Sequence, residues 1–127
     1  MCSIGRVVAK KALRLLLVED HADSAELLAE LLASRGHHVR VAGTARDALA
    51  RAAEEPFDLV VSDVGLPDGS GYELMATLRD RHALKGIALT GARVTDAMNA
   101  SGFVAVLTKP IALRTLEETL EAVAARL

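Results

Sequence analysis

Tryptophan is absent from this chain, which carries one tyrosine and two phenylalanines, yet 51% of its residues are hydrophobic. Its core must therefore be made of Leu, Val, Ile and Ala, a composition that suits helices layered on a parallel sheet. Cys2 is the sole cysteine, so no internal disulfide can form, and it reads as a thiol in a terminal tail. Long apolar runs are missing too. The stretch Leu13 to Val18 contains Arg14 and meets Glu19-Asp20, far short of the roughly 20 residues a membrane span needs. The acids that follow it, with no small-residue cleavage pattern, also exclude a secretory signal. No membrane association is expected, and the cytoplasm is the expected compartment. Nor is there a cationic excess: the net charge is −2, which argues against a large phosphate-backbone-binding surface. With no output domain after Leu127, direct DNA binding is not expected.

What is present is one domain's worth of chain, 127 residues. Residues 1–12, with Arg6, Lys10 and Lys11, read as a tail or linker, and residues 13–127 as the domain. The segment Leu13 to Val18 predicts a first buried strand. Asp23-Ser24-Ala25-Glu26 has capping-box spacing for a helix whose face would be Leu27, Leu28, Leu31 and Leu32, stopped by Gly36. His38 to Ala42 predicts a second strand, and Thr44-Ala45-Arg46-Asp47 starts an Ala-rich helix to about Glu54. Phe57 to Ser62 predicts the third strand, delivering Asp63 to a Gly/Pro/Asp-rich turn. Ser70-Gly71-Tyr72-Glu73 caps a third helix with Leu74, Met75 and Leu78 inward. Ile87 to Thr90 is the fourth strand, Thr95 to Ala100 a short fourth helix, and Phe103 to Leu107 the fifth strand. A last helix follows Pro110, with Leu113, Leu116, Leu120 and Val123 on one stripe.

Strands alternating with helices mean βαβ units, right-handed crossovers and a parallel sheet covered on both faces. The doubly wound α/β order 2-1-3-4-5 fits, and its ligands bind beyond the carboxyl ends of the strands. Those ends carry Glu19-Asp20, Asp63, Thr90 and Thr108-Lys109, on strands that this order sets side by side. Three clustered carboxylates repel, so either some take up protons or a divalent cation lies among them. All-oxygen ligation suits Mg²⁺ or Mn²⁺ rather than zinc. Carboxylate, cation, hydroxyl and lysine together match phosphoryl transfer to an Asp, with the cation, Lys109 and Thr90 neutralising charge on the equatorial oxygens.

Four segments in this order resemble the receiver domain of response regulators: Leu-Leu-Val-Glu-Asp (16–20), Ser-Asp-Val-Gly-Leu-Pro-Asp-Gly-Ser-Gly (62–71), Ala-Leu-Thr-Gly (88–91) and Leu-Thr-Lys-Pro (107–110). The loop wording is most similar to receivers at the C-terminus of hybrid sensor histidine kinases. The resemblance implies a flavodoxin-like fold and a phosphoacceptor in a two-component histidine–aspartate phosphorelay, with Asp63 as phosphoacceptor. Glu19 and Asp20 become the acidic pair, with Asp20 on Mg²⁺ and the Gly65 carbonyl a backbone ligand. Thr90 follows the phosphoryl group, Lys109 is its charge partner, and Lys109-Pro110 is a cis peptide bond. The implied partner is a sensor histidine kinase or a histidine phosphotransfer domain. No enzyme with external turnover is implied beyond the domain's own phosphorylation and dephosphorylation.

Two features depart from that family. An aromatic residue, or sometimes His, usually stands three positions before the lysine, where this chain has Val106, stiff and small. The segment between Thr90 and Gly102 is also about one helical turn shorter than usual. Weak propagation of the phosphorylation signal is therefore expected. Slow loss of phosphate is expected as well, since Gly65 and Ala92 offer no polar side chain to orient a water. The competing reading is an interaction module on the same fold whose output no longer follows phosphorylation. A haloacid-dehalogenase-type phosphatase is rejected, because Gly65 stands where its second acid belongs. Asp68 reads as turn chemistry beside Gly69, His21 as a rim residue beside the acidic pair, His37, His38 and His82 as surface, and Tyr72 as packing.

Overall fold

The computed structural model describes residues 12–91 and 101–127. Nearly all of the expected tail, Ala92 and the expected short helix over 95–100 lie outside the described residues. In chain order the elements are β1 (Arg14–Val18), α1 (Ala22–Ser34), β2 (His38–Ala42), α2 (Ala45–Glu54), β3 (Leu59–Asp63), β4 (Gly65–Leu66), β5 (Gly69–Ser70), α3 (Gly71–His82), β6 (Gly86–Thr90), β7 (Phe103–Thr108) and α4 (Leu113–Ala124). The main sheet has five strands in the order β2-β1-β3-β6-β7, all pairings parallel. Setting aside the β4–β5 hairpin, this is the expected doubly wound 2-1-3-4-5 order of the flavodoxin-like fold.

Alternation along the strands sorts the core into two layers, because successive side chains leave opposite faces of a sheet. Leu15, Leu17, Val61, Ile87 and Leu89 face one way and bury Leu32 of α1 with Leu116, Leu120 and Val123 of α4. Leu16, Val18, Val60 and Ala88 face the other way, against Ala48 and Ala52 of α2 and Leu74, Met75 and Leu78 of α3. With both faces covered, the central strands read as unbroken apolar runs. Tyr72 packs as expected, its ring edge-on to Phe103 with centroids 6.4 Å apart.

Several local expectations are corrected. Helix α1 begins at Ala22 and is capped by His21, not Asp23, which falls inside the first turn. Leu27 faces outward, 59% exposed, and the inner face is Ala25, Leu28, Ala29 and Leu32. Strand β3 starts later than expected and runs one residue further, so Asp63 is its last member. His37 is half-buried rather than a surface residue, its Nδ1 accepting the Leu13 N–H at 3.1 Å. Thr44 and Ser70 cap α2 and α3 as expected, accepting from the N–H groups of Asp47 and Tyr72.

Candidate functional site

Parallel pairing puts the carboxyl ends of β1, β3, β6 and β7 along one edge of the sheet. The register aligns Val18 with Ser62, Asp63 with Leu89 and Thr90 with Thr108. Glu19 is held at the tip of β1 by its N–H donating to the Ala42 carbonyl at 3.0 Å, and the Lys109 N–H donates to the Thr90 carbonyl at 2.8 Å. The Lys109–Pro110 bond is cis, as the resemblance implies. All the predicted site residues, Glu19, Asp20, Asp63, Gly65, Thr90 and Lys109, line one open cleft of about 530 Å³.

Within it, Lys109 Nζ lies 2.7 Å from Asp63 Oδ1 and 3.5 Å from Glu19 Oε1. Glu19, Asp63 and Thr90 are buried, whereas Asp20 is exposed. Burial pushes the Asp63 carboxyl above its ordinary value, and the contact and charge of the Lys109 ammonium pull it part of the way back. One oxygen each from Glu19, Asp20 and Asp63 lie within 4.8 Å of one another. Among the described residues, the one ammonium lining the cleft leaves two of those three carboxylate charges unbalanced. That set of hard oxygen donors at short mutual range fits a small divalent cation such as Mg²⁺. Zinc would want nitrogen or sulfur, and none of the three is His or Cys.

The loop after Asp63 is built around groups that are inconspicuous in the sequence. The Gly71 N–H donates to the Val64 carbonyl at 2.6 Å, and a Cβ at Gly71 would collide with the Asp63 carbonyl oxygen and come within 2.9 Å of Val64 Cα. Gly71 therefore lets α3 start directly against the tip of β3. In the sequence it shows as the Ser-Gly pair at the helix start and the end of the 62–71 segment. Asp68 sits at the hairpin turn as expected, but its carboxylate also reaches back to the N-terminus of α2, accepting from the Ala45 and Arg46 N–H groups. Those bonds hold its carboxyl below the usual value. Val106 pairs with Ala88 in β7 and packs half-buried against the layer that contains Phe103.

Among the described residues, no helix is long and apolar enough to cross a membrane. The family model for the response regulator receiver domain matches residues 15–121. The response regulator protein PilR of Pseudomonas aeruginosa is 37% identical over 108 residues, which span 81% of this chain and 24% of PilR. The sensor histidine kinase RcsC of Salmonella typhimurium is 32% identical over 116 residues, 88% of this chain and 12% of RcsC. The chain thus spans only a fraction of the length of both relatives. In structure it superposes on the chemotaxis response regulator CheY4 of Vibrio cholerae with a TM-score of 0.83 at 28% identity, covering 89% of this chain and 99% of that one. Fold, cleft and similarity agree: the chain belongs to the response regulator receiver domain family of two-component signalling.

Proposed function

We propose that this receiver, over residues 13–127 with residues 1–12 as a tail or linker, is phosphorylated on Asp63 in a Mg²⁺-dependent reaction and acts through protein contacts. The observation that carries the reading is the buried Asp63 carboxylate, 2.7 Å from the Lys109 ammonium inside a cluster of three carboxylates. An Asp63 oxygen attacks phosphorus and forms the new P–O bond. The bond from phosphorus to the donor breaks, and its electron pair leaves with the donor. With a phosphohistidine donor the P–N bond breaks and the imidazole retains that pair. Lys109 balances the growing charge on the phosphoryl oxygens, and the Thr90 hydroxyl, at the tip of the neighbouring strand, donates to them. Glu19, Asp20, Asp63 and the Gly65 carbonyl would hold the cation. Bound there, Mg²⁺ or Mn²⁺ supplies electrostatic stabilisation of the transferring group.

The chemistry suits a sensor histidine kinase or a histidine phosphotransfer domain as donor, and the receiver turns over no external product. Incubation with a small phosphodonor and Mg²⁺, read by intact mass, tests it. One added phosphate is expected in the parent and none in Asp63→Ala or in EDTA. A parent that gains no phosphate would overturn the proposal. If partner binding survived Asp63→Asn unchanged, an interaction module independent of phosphorylation would replace it, a reading that Val106 favours.

A further inference from the structure

His21 has two engagements in this fold. Its Nδ1 accepts the backbone N–H of Ser24 at 3.3 Å, and the Ser24 hydroxyl lies 3.1 Å from the same nitrogen. A backbone N–H can only donate, so Nδ1 carries no proton in this contact and the neutral ring has its proton on Nε2. The ring also lines the cleft that holds Asp63, Thr90 and Lys109, at its exposed rim. With Nδ1 committed to α1, the polar group that the ring can offer the cleft is the Nε2–H donor. The ring is therefore suited to holding an anionic oxygen.

Resting on the phosphoacceptor reading above, we infer that His21 is a positioning residue for the incoming phosphodonor. Its Nε2–H hydrogen-bonds an oxygen of the phosphoryl group as that group passes from the rim toward Asp63, and no bond to His21 forms or breaks. Lys109 provides the cationic donor within the cleft, and His21 provides a neutral one at its mouth. A contact made equally to the arriving donor and to the transition state tightens binding without changing the rate at saturation.

Two substitutions separate this role from helix capping. Asn is among the best N-caps but lacks the reach of Nε2, whereas Gln places an amide N–H near the Nε2 position and caps poorly. The test uses the full chain with Mg²⁺ and phosphoramidate, following the initial rate of mass gain against donor concentration. His21→Asn is expected to raise the half-saturating concentration about five-fold, the size of one neutral hydrogen bond, with the rate at saturation unchanged. His21→Gln stays near the parent. Half-filling of the site by beryllofluoride, whose fluorines accept the same bond, should shift by the same factor in His21→Asn. Denaturation midpoints should rank the other way, Asn near the parent and Gln below it. A His21→Asn protein with the parent's half-saturation, or equal losses in Asn and Gln, overturns the inference while leaving the phosphoacceptor reading standing. A parent that takes up no phosphate fails that reading itself, and this one with it.

Discussion

The Asp68 carboxylate accepts the Ala45 N–H at 2.8 Å across 23 residues of sequence, tying the hairpin that follows Asp63 to the first turn of α2. Arg46 adds a second backbone bond at 3.0 Å. A carboxylate on the open N–H groups of a helix start is favoured by both hydrogen bonding and the helix dipole. These bonds depress the Asp68 carboxyl below 3.8. A depressed carboxyl contributes stability that is fully present above the unfolded value and is lost as pH falls through the folded one. Asp68→Ala should therefore lower the thermal midpoint at pH 7. The gap to the parent should narrow once pH drops below about 3.8, and a gap that persisted unchanged into strong acid would contradict the assignment.

Gly71 is expected to tolerate no side chain. Its Cβ would meet three backbone atoms of Asp63 and Val64, and backbone cannot swing aside as a long side chain can. Gly71→Ala should cost about 1–3 kcal/mol in denaturant unfolding, as overpacking does. It should also slow phosphorylation, since the displaced atoms belong to Asp63 and Val64. Gly43→Ala, where nothing lies within 4 Å of the added carbon, is the control and should stay within about 0.5 kcal/mol of the parent.

The contrast between these residues and the rest of the site explains what could be read in advance. Strands buried on both faces must be apolar runs, so their order and their polar tips were legible, and the doubly wound topology brought Glu19, Asp63, Thr90 and Lys109 together without further assumption. Asp68 could be read locally as turn chemistry, but its second role depends on where α2 lies, 22 to 23 residues away in sequence. Asp23 and Glu26 satisfy the capping-box spacing, whereas His21 captures α1 two residues earlier with an imidazole nitrogen. Leu27 lies outside because the buried stripe of this helix runs through Ala25, Leu28, Ala29 and Leu32. Capping rules choose among candidates by side-chain type, and here the His21 imidazole, accepting from the Ser24 N–H, takes the cap.

Burial raises the Asp63 carboxyl, so ionising it is harder in the folded protein than in the unfolded chain. Below 3.8 both states hold the proton and the difference vanishes. As pH rises through the raised folded value, the charge subtracts from stability. Asp63→Asn should accordingly have a higher midpoint than the parent at pH 7 in EDTA, with the difference closing in acid. Lys109 would still have Glu19 within 3.5 Å. Mg²⁺ should then stabilise the parent, by about 2.7 kcal/mol at a hundred-fold excess over its Kd, and Asp63→Asn much less. Equal Mg²⁺ stabilisation of the two proteins would remove Asp63 from the cation site.

Val106 is expected to limit the reach of the signal. It sits in β7, two residues before Thr108 and the Thr90 pairing, and packs half-buried against the layer containing Met75 and Phe103. A β-branched side chain is stiff at χ1 and carries no ring that could change position with the phosphorylation state. Backbone chemical shifts with and without beryllofluoride should therefore change at residues 19–21, 63–66 and 88–91 and little over 103–120. Val106→Tyr restores a ring that can occupy inward and outward positions, and should extend the changes along β7 and into α4 at some expense in stability. Large coherent changes over residues 92–120 in the parent would mean that the phosphorylation state passes through β7 without an aromatic relay.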